Sequence, residues 1–202
     1  MDIDPLTLLD TAQTSNDRPV ANAARLNAAV AATVAVLATF MGICKVKDDN
    51  IVQGMQQAQA DKLDHWAFYQ ARNLRQEIAE STVAQLTLSR LGAPAGAAAA
   101  YDATISKYQA LASEQASKKD ALKALAEQDQ KTYDALNFRD DQFDLSDALI
   151  AIAIAMLAVT ALTGQLALYA ASLVPAIAGV LMGTAGLAAW PLHPGVLIKL
   201  LS

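Results

Sequence analysis

The sequence predicts an all-α membrane protein with three transmembrane helices and, between the first and second, a long extramembrane antiparallel hairpin of coiled-coil-like helices. Three observations predict it. Ala148 to Ile198, about fifty residues, holds no Asp, Glu, Lys or Arg. A spanning helix needs about 20 mostly apolar residues, so this run has room for two, with Thr163-Gly164-Gln165 as the turn between them. A second uncharged run, Leu26 to Cys44, is long enough for one more span. The polar middle of the chain holds 12 of the 15 Lys and Arg and 16 of the 20 acids, and its apolar residues recur at helical spacing. The expected organisation is a polar tail at 1–25, spans at 26–44, 148–163 and 166–190, an extramembrane two-helix region at 45–147 with its turn at 92–96, and an interfacial tail at 191–202.

In the tail, Asp4 and Pro5 suit the cap and first position of a short helix, and a frayed end fits the same residues equally well. An acidic start and the lack of a cleavage site after the apolar run exclude a secretory signal. In the first span Ala28, Ala31, Ala32, Ala35 and Ala38 make one side smooth, which lets helix backbones approach closely in lipid. Arg25 on one side and Lys45 and Lys47 on the other mark its ends.

Asp48 to Leu91 reads as one long helix with no proline and a single internal glycine, Gly54. Gly92-Ala93-Pro94-Ala95-Gly96 is the strongest breaker in the chain. From Ala97 a second long helix follows, with Tyr101, Ile105, Tyr108, Ala112, Gln115, Lys119, Leu122, Ala126, Asp129, Tyr133 and Leu136 in a heptad frame. Gln115, Lys119 and Asp129 make that frame leaky, which argues for an alanine-rich pair rather than a Leu/Ile zipper. A five-residue loop makes the two helices antiparallel neighbours. Asp144, Ser146 and Asp147 read as capping chemistry or as a ring at the membrane interface. In the third span Pro175 predicts a kink, and Gly179, Gly183 and Gly186 form a candidate close-packing face. Trp190 suits the interfacial aromatic belt.

Trp66-Ala67-Phe68-Tyr69-Gln70-Ala71-Arg72, set in this order of span, long helix, second long helix and closing pair of spans, resembles the DUF4337 family of uncharacterised bacterial membrane proteins. The family pattern looks like W-x-x-Y-Q-A-K; Trp66, Tyr69, Gln70 and Ala71 match it, and Arg72 stands in place of Lys. The turn between the last two spans, where the family leads one to expect basic residues, is Thr163-Gly164-Gln165. The resemblance implies a multi-pass protein of the bacterial inner membrane and brings no activity with it.

The functional readings follow from what is present and what is missing. The net charge of −5 and its interspersed pattern exclude a nucleic-acid partner, which requires a basic patch. One cysteine, Cys44, excludes an intrachain disulfide. No nucleophile–base pair, phosphate loop or cofactor motif can be assembled, so no catalytic, cofactor or metal residue is assigned and the protein is not expected to be an enzyme. Asp61, Asp64 and His65 are too few for a zinc site and read as a solvated helix face. His193, between two prolines, reads as an ordinary interfacial histidine, with a pH sensor as the sharper alternative. The spans carry no ionisable residue, which disfavours a coupled transporter. Trp66, Phe68, Tyr69, Gln70 and Arg72 form the densest aromatic patch, read either as a packing knot between the arms or as a subunit contact or partner site. A leaky two-helix arm buries little on its own, so the expected protein is a membrane-anchored homo-oligomeric scaffold. The alternatives are a homo-oligomeric pore, and an adaptor or sensor that docks a protein partner through the hairpin.

Overall fold

The computed structural model describes residues 5–192, with side chains from Ala23 onward. The proposed Asp4 cap, His193 and most of the C-terminal tail therefore lie outside the described residues. Among the described residues the chain is helical throughout and has no strand: α1 is Pro5–Leu91, a short 3-10 turn occupies Ala95–Ala97, α2 is Ala98–Thr163 and α3 is Leu166–Ala188. Three helices are long and apolar enough to cross a membrane, one in each of α1, α2 and α3.

The breaks fall where backbone chemistry requires them. α1 stops at Leu91, immediately before Gly92, and Pro94 precedes the 3-10 turn. Gly164 takes a left-handed φ of 67° between α2 and α3, a conformation that costs glycine nothing. No break separates the apolar part of α1 from its polar part, and α2 likewise runs unbroken through Asp144–Asp147. α3 continues through Pro175. Ser172, three residues earlier, turns its hydroxyl back to donate to the Tyr169 carbonyl at 2.7 Å.

The chain divides into two compact units. One combines the residues up to Val52 with those from Phe138 on, and the other is Gln53–Asn137. The first unit is a three-helix bundle. Its core is Val30 and Leu37 of α1, Ile150, Ala153 and Leu157 of α2, and Ala176 of α3. α3 turns Ser172, Ala176, Gly179, Gly183 and Gly186 inward, a row of small residues stepping by four and three. Its large residues, Leu166, Val174, Ile177 and Leu181, face outward. That inside-small, outside-large arrangement suits lipid, which rewards close backbone packing and gives no hydrophobic drive for burying leucine.

In the second unit α1 and α2 meet along a thin seam. Ala58 and Ala79 of α1 and Ala112 and Ala126 of α2 are buried. Gly54 faces Leu136 so closely that a Cβ there would lie 3.1 Å from its Cδ1.

Candidate functional site

The seam of the second unit is stitched by polar side chains. Lys62 Nζ donates to Gln130 Oε1 at 2.6 Å, and His65 Nδ1 donates to Asp129 Oδ2 at 2.7 Å. Arg72 Nη1 donates to Gln115 Oε1 at 2.9 Å, and Lys119 Nζ donates to Asn73 Oδ1 at 3.0 Å. Arg90 pairs with Asp102 nearest the turn, with Nε 2.6 Å from Oδ1. The heptad positions that look like leaks in the sequence, Gln115, Lys119 and Asp129, thus each accept or donate a bond across the seam. A buried polar group must find a partner, and here the partners sit on the facing helix.

The helix divides the Trp66–Arg72 motif between two sides. Trp66, Tyr69 and Arg72 are half-buried, while Phe68 and Gln70 are exposed. Trp66 and Tyr69 pack edge to face, with ring centroids 5.2 Å apart and an interplanar angle of 76°. The cation over the Tyr69 ring is Lys119 of α2, 5.9 Å from its centroid, and Arg72 binds Gln115. Of the acidic group read beside His65, Asp61 accepts from Gln57 at 2.8 Å, and the partner of His65 is Asp129.

α1 carries a second apolar row in this unit. Leu63, Leu74, Ile78 and Leu88 are each more than half exposed. At 3.6 residues per turn they fall within about 80° of one another, on the side away from the seam positions Ala58, His65, Arg72 and Ala79. Ala67, Gln70, Ser81 and Gln85 complete that face, and it contains no charged residue. A helix face meant for water carries charge, so an uncharged, leucine-bearing face is unusual.

In the bundle, the glycines read in the sequence as packing residues all lie against other helices. A Cβ on Gly179 would sit 2.7 Å from Ile150 Cγ1 and 3.1 Å from the Ser146 carbonyl oxygen. On Gly183 it would sit 2.7 Å from both Phe40 Cε1 and Ser146 Oγ, and on Gly186 it would sit 2.9 Å from Phe143 Cζ. The Ser146 hydroxyl donates to the Gly179 carbonyl at 2.8 Å. Gln142 Nε2 donates to the Trp190 and Leu192 carbonyls, and Arg139 donates to the Gly186 carbonyl, so side chains of α2 hold the chain at and beyond the end of α3. At the other end of α3 the Thr33 and Tyr169 hydroxyls hydrogen-bond at 3.1 Å.

The bundle also contains an acidic constellation of which sequence reasoning singled out only Asp144 and Asp147. Asp48 of α1 is buried and accepts from Lys45 at 2.8 Å through Oδ2. Asp140, Asp144 and Asp147 of α2 stand near it, and the Asp140 carboxyl comes up against the Asp48 carboxyl. Desolvation, then the approach of the Asp48 carboxyl and the charges of Asp144, Asp48 and Asp141, push the Asp140 carboxyl up to about 7. Desolvation and the Asp48 charge also raise Asp144 and Asp147, against the pull of Lys45. A signal for this was present in the sequence. Val30, Leu37, Cys44, Ile51 and Ala58 are buried at intervals of seven, and Asp48 lies four after Cys44 and three before Ile51, on the same buried stripe.

A family model described as "Domain of unknown function (DUF4337)" matches residues 26–189. No curated protein matches the chain, and no solved structure does. The match covers most of the chain, from the first apolar segment to the end of α3, and the chain belongs to the DUF4337 family.

Proposed function

We propose that this DUF4337 protein is a membrane-anchored, self-associating scaffold of the bacterial inner membrane, acting by assembly and not by catalysis. In this reading the three apolar helices anchor the chain, and Gln53–Asn137 forms an extramembrane antiparallel hairpin. Support for the hairpin comes from the order of the seam contacts: as the α1 partner rises from Lys62 to Asn73 to Arg90, its α2 partner falls from Gln130 to Lys119 to Asp102. The observation that carries self-association is the uncharged face holding Leu63, Leu74, Ile78 and Leu88, which the facing helix leaves uncovered. A homo-oligomer closes such a face by presenting it to copies of itself.

The test is native mass spectrometry of the full chain in nanodiscs, wild type beside the double variant Leu74→Glu, Ile78→Glu. The scaffold reading expects one closed stoichiometry for wild type and dissociation for the variant. The protomer's own melting should change little, since surface substitutions usually cost within about 0.5 kcal/mol. A monomeric wild type overturns the reading and directs attention to a different partner for the hairpin. A wild-type oligomer that conducts ions in liposomes replaces the scaffold with a pore.

A further inference from the structure

In the bundle, a buried carboxyl of α1 and a carboxyl of α2 face each other, and their like charges disfavour ionising both. Asp48 is 4% exposed, its Oδ2 is taken by Lys45, and its Oδ1 is buried with no hydrogen-bond partner of its own. A buried acceptor left without a donor is costly. The side chain that faces Asp48 from α2 is Asp140. Two carboxylates cannot hydrogen-bond to each other; a carboxylic acid and a carboxylate can.

We infer that Asp140 carries a proton and donates it to Asp48, so that the two side chains form a one-proton latch between α1 and α2 that ionisation opens. The orphaned Oδ1 supplies the acceptor, and the crowding of acids around it supplies the reason the proton stays. The groups facing the pair from α1 are Cys44, Lys45 and Asp49, with Lys45 Nζ 3.7 Å from Asp49 Oδ1. Those from α2 are Asp141, Asp144 and Asp147. Arg139, the nearest cation on α2, donates to the Gly186 carbonyl. Between Leu166 and Ala188, α3 has no acid or base apart from Tyr169. Lys45 therefore faces a surplus of acids, and its hydrogen bond to Asp48 raises its own affinity for its proton.

The direction of the pH effect follows from proton counting. The Asp140 carboxyl titrates at about 7 in the fold and at the ordinary 3.8 when unfolded. The native state holds the extra proton between those values, so the latch's contribution to stability falls as pH rises through that window and is lost above it.

Infrared difference spectroscopy on the full chain in nanodiscs reads the proton directly. Wild type should show a protonated-carboxyl band that disappears with a midpoint at about 7. Asp140→Asn, which keeps a donor for Asp48 but cannot ionise, should lack that band. Asp48→Asn should move the midpoint down towards the ordinary carboxylate range. Absence of the band in wild type, or its persistence in Asp140→Asn, overturns the assignment. The lone thiol of Cys44, buried beside the pair, reads the opening. Its rate of labelling in wild type, divided by that in Asp140→Asn at each pH to remove the thiol's own titration, should rise several-fold as Asp140 ionises. A ratio that stays flat across pH overturns the latch even where the band is present.

Discussion

Where α3 meets α2, Gly179, Gly183 and Gly186 bring backbone against Ile150, Ser146 and Phe143. Where α1 meets α2 between Gln53 and Asn137, alanines bring the helices together and Lys62, His65, Arg72 and Lys119 reach across to polar partners. Both contacts use small residues. They differ in what surrounds them. The bundle has large apolar side chains outside and no charge within its apolar runs, whereas the Gln53–Asn137 unit is charged on most faces and spends polar groups on the seam itself. Lipid cannot hydrogen-bond, so a bundle facing it draws cohesion from van der Waals contact and from hydroxyls that bond locally. In the proposed extramembrane placement, water competes for the polar groups of Gln53–Asn137, so each cross-seam bond contributes only about 1 kcal/mol net, and its value lies more in register than in strength.

The sharpest way to break this contrast is to put a side chain where the bundle has none. Gly183→Leu should destabilise by about 3 kcal/mol or more, because the Cβ alone collides with Phe40 and Ser146. Thermal unfolding in detergent measures it, and a melting temperature equal to wild type would mean that α3 does not dock as described.

A matched pair of deletions comes next. Gln115→Ala in the Gln53–Asn137 unit empties a buried position, leaves the half-buried Arg72 guanidinium without its partner, and should cost about 1–2 kcal/mol. Ser146→Ala in the bundle removes the bond to the Gly179 carbonyl and should cost about 0.6 kcal/mol, the average for such bonds between membrane helices. Chemical denaturation of both variants ranks them, and a larger loss for Ser146→Ala would reverse the account of which unit depends on polar contacts.

The smallest expected effect is a gain. Ala189 closes α3 in the left-handed region at φ 54°, while its N–H bonds to the Ala185 carbonyl. A residue with a Cβ pays about 1 kcal/mol there, so Ala189→Gly should stabilise by roughly that amount, less what glycine gains in unfolded-chain freedom. A lower melting temperature for Ala189→Gly would indicate that the cap is not closed in this way.

Much of this protein is written in local chemistry. The uncharged runs specify three helices able to cross a membrane, because hydrocarbon excludes charge whatever the neighbouring helices do. Gly92, Pro94 and Gly164 place the breaks, because backbone preferences act within a turn. The glycine row of α3 is legible as a packing face, since small residues in a span have few other uses. Partner choice is not local. Gln115, Lys119 and Asp129 look like faults in a heptad until Arg72, Asn73 and His65 stand opposite them, some 40 to 65 residues away in the chain. The same holds for Asp48. Its place on a stripe of sevens marks it as buried, but only the docking of α2 brings Asp140 to it, and it is that meeting of two acids that sets where the proton resides. Sequence alone determined which segments are helical and which are apolar, because those properties depend on neighbours a few residues apart. Tertiary structure decided which polar groups satisfy one another and which apolar face is left uncovered, because those depend on residues brought together only by folding.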